Sequence, residues 1–357
     1  MWHLDEILYG RQLSSPHFRV ERPIFVISGG RSGSTQLSRY IEADERVEAP
    51  NILRCMVPCL WLWRLVENTL GRLITTGYVS NKIKEMMPPE ALERHEMDPF
   101  KADTFDGAFW GFHYNYRAAC LGPDVSCLDM NFARVNPEDS PHMEDDFCRL
   151  VDRLARKSFL HRQMRQSGDS KVDVEVDRPR FFIKGHFLWV ADALLEHYSD
   201  ATFVTVVRDP AQRIQSGINF MRSQVLDSNT GAVPWSWLSN FLGRSEKDYC
   251  VIEKEWYSRA SRVGPSKKCI LCFNDFKSDI QETMKFVFAT CDLLVEKESG
   301  EAVLPAHVPK KHPDRKRHGY SVDRSLAELG IDEEELRTEL ADYIAWCRSH
   351  SLAHKRD

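Results

Sequence analysis

The sequence predicts an α/β protein: a parallel sheet flanked by helices, with a large, mostly helical insert. Three observations lead there. Short apolar runs rich in β-formers recur at 23–28, 181–183, 202–207 and 269–273. The segments that follow them carry apolar residues at helical spacing. The first run also ends in a glycine-rich turn that opens directly into a helix. Strands alternating with helices need crossover connections, which give parallel pairing and helices on both faces.

The elements follow in order. Residues 1–22 are polar and show little pattern. Pro23 to Ser28 reads as a strand, after which Ser34 or Thr35 can cap a helix with Leu37, Tyr40 and Ile41 on one face. From about 50 to 165 the signals are helical and aromatic, with Trp61, Trp63, the Phe109–Tyr114 cluster and the Glu144–Gln166 segment. At 167–180, Val172, Val174 and Val176 alternate with charged residues, as in an exposed hairpin or loop. Phe181–Ile183 is a strand and Leu188, Ala191, Leu195 and Tyr198 mark a helix. Thr202–Val207 is a strand that leads through Arg208-Asp209-Pro210 into a helix marked by Ile214, Ile218 and Met221. Cys269–Phe273 is a further strand. Asp332 with Glu335 forms a capping box before a stripe of Leu336, Leu340, Ile344 and Cys347.

A chain of 357 residues has room for about two domains at ~150 residues each. One elaborated domain accounts better for the pattern: a core at 23–45 and 181–290, an insert at about 46–180, and a terminal loop and helix at about 305–350. There is no internal repeat.

Composition narrows the function. Lys and Arg number 48 against 53 Asp and Glu, a net charge of -5. A general nucleic-acid binder is basic, so any polyanion must sit in a local site. The ten cysteines are scattered through a long chain and frame no disulfide scaffold. Cys269 and Cys272 lie three apart on a strand and point to opposite faces, which does not suit one metal. No metal site is expected. The amino terminus lacks a signal-peptide pattern, and no run approaches the ~20 apolar residues that span a bilayer. The expectation is a soluble, cytoplasmic protein without a nucleic-acid partner.

The sharpest motif is Ser28-Gly29-Gly30-Arg31-Ser32-Gly33-Ser34-Thr35. A strand that delivers such a turn to a helix start gathers backbone N–H groups around one point, suited to a phosphate or sulfate oxyanion. A nucleotide-triphosphate loop would carry Lys directly after its last glycine. Here Ser34 stands there and the cation comes earlier, at Arg31, which disfavours an ATPase or kinase. The dinucleotide spacing G-x-G-x-x-G is absent as well. A second element places Arg208 at a strand end and Ser216 eight residues later on a helix, where a guanidinium and a hydroxyl can grip a second phosphate.

Together these elements resemble the sulfotransferases that use 3′-phosphoadenosine 5′-phosphosulfate. In that family a [K/R]-S-G-[S/T]-T loop holds the 5′-phosphosulfate, matched here by Arg31-Ser32-Gly33-Ser34-Thr35, and an Arg with a Ser eight positions on holds the 3′-phosphate, matched by Arg208 and Ser216. Arg rather than Lys at 31 looks more like the carbohydrate and tyrosyl-protein branch than the phenol and steroid branch. The resemblance implies a P-loop-like fold in which Gly30, Arg31, Ser32, Gly33, Ser34, Thr35, Gln36, Arg208, Ser216 and Arg317 bind the donor. Arg317 comes from the basic stretch Lys310–His318, which resembles the family's cofactor-covering loop, as Phe273–Phe276 resembles its Tyr-Glu-Asp-Leu segment. Arg31 is the first candidate to stabilise the leaving oxygen, Lys184 to contact the sulfuryl oxygens, and His186 to act as general base. In the tyrosyl-protein relatives a Glu lies shortly after the first helix; here Glu48 is nearby but offset, and His113 is a further candidate. The acceptor would be a small-molecule, sugar or peptide hydroxyl, and the insert would shape its pocket. Two alternatives stay open: a divergent P-loop kinase or NTPase, and a nucleotide-binding protein without catalysis.

Overall fold

The structure, a computed structural model, describes residues 2–85, 100–102, 142–166, 178–221, 235–259, 267–310 and 324–352. In chain order its elements are α1 (Trp2–Leu13), β1 (Ile24–Ile27), α2 (Ser34–Glu42), β2 (Val47–Glu48), α3 (Ile52–Met56), α4 (Leu60–Thr75), α5 (Tyr78–Glu85) and α6 (Met143–Gln166). Then come β3 (Arg180–Gly185), α7 (Ala191–His197), β4 (Thr202–Val207), α8 (Pro210–Met221), α9 (Trp235–Ser258), β5 (Lys267–Cys272), α10 (Phe273–Ser278) and α11 (Ile280–Thr290). A short hairpin, β6 (Val295–Glu296) and β7 (Ala302–Val303), precedes α12 (Glu333–Glu339) and α13 (Ala341–Ser349).

The strands β2-β3-β1-β4-β5 form one sheet in that order, and every pairing is parallel. Strand β1 is buried along its whole length, as a central parallel strand should be. Its side chains divide two cores by simple alternation. Phe25 and Ile27 join the larger core with Phe147, Phe203, Ile214 and Trp256, whereas Ile24 and Val26 join a second core with Leu37, Ile41, Met284 and Phe288. Helices thus cover both faces, as the strand–helix alternation predicts.

Register sets the functional edge. Ile27 lies opposite Gly185, Val26 opposite Val204, and Val207 opposite Cys272. The residues that follow β1, β3, β4 and β5 therefore leave the sheet along one carboxyl-terminal edge, where parallel sheets place their ligands.

Two local differences from the sequence reading have physical causes. Residues 2–13 form α1, although they carry no apolar periodicity. Besides Leu13, this helix buries a carboxylate: Asp5 accepts from the backbone N–H groups of Leu60 and Trp61 at 2.9 and 3.0 Å and pairs with buried Lys157 at 2.7 Å. The second concerns α2, whose cap is neither Ser34 nor Thr35. Gly33 occupies that place in the left-handed region, with φ 96°.

Beneath the glycine turn lies Arg213 of α8, which has no solvent exposure. Its Nε donates to Glu246 at 2.8 Å, and one Nη to Glu253 at 3.3 Å and the Tyr343 hydroxyl at 3.2 Å. Glu253 also accepts from Thr205 of β4 at 2.6 Å and from Tyr343 of α13 at 2.7 Å. A side chain on Gly29 would stand 2.7 Å from the guanidinium carbon, so the turn rests directly on this ion cluster. Burial pushes Glu253 above the ordinary carboxylate range, and the surrounding carboxylate, thiol and phenol groups hold Arg213 firmly charged against its own desolvation.

Removing one member of such a cluster strands the others in a dry interior. Arg213→Met should cost about 3–5 kcal/mol of folding stability, measured as a lowered urea midpoint. A change within 0.5 kcal/mol, the range of ordinary surface substitutions, would show that the cluster is dispensable.

Candidate functional site

The loop after β1 is fixed before any ligand enters. The Ser28 hydroxyl accepts from the Val206 N–H at 3.1 Å, the Ser28 N–H donates to Gly185 at 3.2 Å, and Tyr257 donates to the Ile27 carbonyl at 3.1 Å. Two neighbouring strands and α9 thus hold its start. At its end, Gly33 is required twice over: its φ is positive, and a side chain there would come within 2.7 Å of the Phe273 ring. Arg31 also takes a left-handed φ, 59°. Ser32 is fully buried, and its hydroxyl has no hydrogen-bond partner among the described residues. An unanswered buried hydroxyl inside a glycine nest at a helix start suits an oxyanion.

Cations surround this nest. Lys184, near the end of β3, is buried and donates to the Thr35 hydroxyl at 2.8 Å. Arg31 lies along α8, its Nε on the Ser216 hydroxyl at 3.1 Å and its guanidinium over the Phe220 ring at 4.7 Å. Arg208 donates to the Arg31 carbonyl at 2.8 Å and stacks on Phe273 at 4.4 Å. Lys277 meets the same ring at 4.4 Å. Partial burial and the Arg208 charge hold Lys277 below the ordinary lysine range. The nearby carboxylates are engaged elsewhere. Asp209 caps α8 through the Gln212 N–H and pairs with Arg337 at 2.8 Å, and Asp275 takes the Ser351 hydroxyl and the Leu352 N–H. Like charges crowded at one place are what a phosphate repays.

The structure therefore brings together Gly30, Arg31, Ser32, Gly33, Ser34, Thr35, Lys184, Arg208 and Ser216 along one edge. It also redistributes them. Lys184, not Arg31, is the cation on Thr35, and Arg31 ties the first loop to Ser216. The Gln36 amide turns back along α2 to the Tyr40 hydroxyl at 3.2 Å. His186 is half-buried at the same edge: its Nε2 lies 3.9 Å from where a Gly30 side chain would begin. Glu48 is no base. It is buried between Arg54 at 3.3 Å and Arg162 at 3.6 Å, and it pairs with Phe181, four residues before the strand end. Trp63 belongs to the core, beside Arg54 and His161. Arg317, His113, the 109–116 aromatics and the 167–177 segment lie outside the described residues.

Two residues of the site carry no signal from the sequence motifs. Lys277 enters because α10 turns its first residue, Phe273, onto Gly33. Glu246 enters from α9: its Oε1 lies 3.8 Å from the same Gly30 position that His186 approaches. A signal did exist in the spacing. Glu246, Tyr249, Cys250 and Glu253 fall at i, i+3, i+4 and i+7, so two acids share the buried face of one helix and require a buried cation.

Among the described residues no group of three or more His, Cys, Asp or Glu could hold a metal, and no helix is long and apolar enough to cross a membrane. Cys269 is buried and Cys272 partly so, neither is in a disulfide, and the Cys272 thiol donates to the Cys347 carbonyl at 2.9 Å.

No curated protein matches the chain in sequence. Its fold resembles the solved sulfotransferase STF1 from Mycobacterium tuberculosis, with a TM-score of 0.63 at 15% identity over 95% of this chain and 81% of that one. It also resembles the sulfotransferase STF9 from Mycobacterium avium, with a TM-score of 0.58 at 17% identity over 96% and 80%. The model of the sulfotransferase family matches residues 23–297, which take in the glycine loop, the Arg208 turn and the whole parallel sheet, and the chain belongs to that family.

Proposed function

We propose that the protein transfers a sulfuryl group from 3′-phosphoadenosine 5′-phosphosulfate to a hydroxyl acceptor. The observation that carries this reading is the pairing of two anion-binding elements at one sheet edge: the Ser28–Thr35 nest with Lys184, and Arg208 with Ser216. A donor with phosphates at both its 5′ and 3′ ends matches two such elements. A nucleoside triphosphate needs one, with a Lys after the last glycine, and Ser34 stands there instead.

The roles follow from the chemistry. Sulfuryl transfer is an in-line displacement, so the protein mainly positions the reactants and neutralises charge as it develops on the leaving oxygen. Buried Lys184 beside Thr35 is placed for the transferred group and the 5′ end. Arg208 and Ser216 take the 3′-phosphate. Arg31 spans both, so occupation of one element is felt at the other. His186, half-buried over Gly30, is the general base that takes the acceptor proton. Arg317 would reach the donor from the 311–323 segment, whose return at Arg324 is anchored on α8: Asn219 exchanges two hydrogen bonds with its backbone, at 3.0 and 3.1 Å. The acceptor pocket is assigned to the helical side built by residues 46–180, within one elaborated domain. The acceptor itself is a small-molecule, sugar or peptide hydroxyl, and the branch within the family rests on Arg31 and on the Lys184 and His186 that precede the helix before the Arg208 strand.

Calorimetry separates the donor readings. 3′,5′-Bisphosphoadenosine should bind more tightly than AMP or ATP, and Arg208→Ala should lose about 10- to 100-fold of that preference. Equal affinity for AMP would sink the 3′-phosphate assignment. Lys184→Met should lower kcat about 100-fold at saturating donor while leaving bisphosphoadenosine affinity within a few-fold. His186→Ala should lower kcat by about 100-fold or more, and turnover close to wild type would remove His186 as the base.

A further inference from the structure

The cations of the site all serve the anionic donor. Glu246 does not fit that purpose, because a carboxylate beside the nest repels a phosphosulfate. Its position is nevertheless built. Oε2 is fixed on the Arg213 Nε at 2.8 Å, and Arg213 is fully buried. With that oxygen tied, Oε1 lies over Gly30, 3.8 Å from the place where a side chain would begin. His186 Nε2 approaches the same point at 3.9 Å, so the two atoms stand within about 8 Å of each other across a glycine that leaves the space open.

Among the described residues the two acids of this cluster, Glu246 and Glu253, share one cation, Arg213. Glu253 is the deeper of the two and is further held by the Thr205 and Tyr343 hydroxyls. Glu246 keeps 19% of its side chain exposed, and its Oε1 accepts no hydrogen bond from the described residues. Nearby Lys247 is drawn away to Glu339. A partly exposed carboxylate whose second oxygen accepts nothing from the described residues, close to the same glycine as His186, is a recognition group for a donor of hydrogen bonds and positive charge.

We propose that Glu246 selects the acceptor: a hydroxyl compound that carries an ammonium group close to the reacting hydroxyl, an amino alcohol or amino sugar. This rests on the reading of the site given above. His186 then faces the hydroxyl and Glu246 the ammonium, and the two contacts fix which hydroxyl is presented to the sulfuryl group. An acceptor with a carboxylate in that place is excluded by repulsion.

Three alcohols of one size test this without the true acceptor: ethanolamine, ethylene glycol and glycolate. Each is titrated against the protein by ligand-observed NMR, with and without 3′,5′-bisphosphoadenosine. Ethanolamine should bind about tenfold more tightly than ethylene glycol, and glycolate more weakly than either. In Glu246→Gln, which keeps an oxygen for Arg213 but removes the charge, the tenfold preference should disappear. In Glu246→Asp, which keeps the charge, it should persist, which separates recognition from damage to the fold. Equal binding of ethanolamine and ethylene glycol to the wild type, or a preference undiminished in Glu246→Gln, overturns the proposal. Failure of bisphosphoadenosine to bind, with the ethanolamine preference intact, would instead remove the donor reading.

Discussion

The burial of Arg213 under Gly29 is the interaction on which the rest of the site depends. A glycine-rich turn has no side chains with which to hold itself, and its many conformers must be reduced to one before it can bind an anion. Arg213 supplies the floor. Its charge is tolerable in the interior only because Glu246, Glu253 and Tyr343 surround it, and each of these comes from a helix packed on the larger core. The turn is therefore rigid because a distant set of helices is, and the cost of burying charge is met by packing that the sheet already requires.

This arrangement also sorts charge along the sheet edge. On one side, Lys184 and Arg31 lie at the nest, and Arg208 and Lys277 stack on Phe273 beside it. On the α9 side, the exposed part of the ion cluster is a carboxylate. A single edge thus offers an anion site and a carboxylate-lined site a few ångströms apart, separated by a glycine. A net charge of -5 over the whole chain conceals this, since local potential is set by how the charged groups are placed.

The sheet was legible because its cause is local. Four of the five strands of the main sheet are apolar runs with a turn or helix signal at the end, and parallel strands buried on both faces leave that trace. The two-residue β2 leaves none. The nest and the Arg208–Ser216 spacing were legible for a similar reason, since backbone geometry at a strand–helix junction demands particular residue types. What escaped was tertiary. Helix α1 forms around Asp5, whose partners sit at Leu60, Trp61 and Lys157, so no periodicity announces it. Gly33 caps α2 because Phe273 must pass close to it, a contact between residues 240 positions apart. Glu246 joined the site through Arg213 rather than through any motif. Arg31 belongs to the loop motif, but its direction toward Ser216 depends on a left-handed backbone that the sequence does not reveal.

The hydroxyl of Tyr343 has a consequence for the order in which the protein is made. The glycine turn is encoded near the beginning of the chain, yet the cluster beneath it is closed by a helix close to the last residue described. During synthesis the loop exists as sequence long before it has its foundation, and α8 and α9 reach the growing chain with Arg213 and Glu253 still lacking that hydroxyl. A ribosome-bound intermediate can therefore hold the sheet while the nest above it is still soft. The turn gains the last part of its support only when α13 docks and brings the Tyr343 hydroxyl onto Arg213 and Glu253.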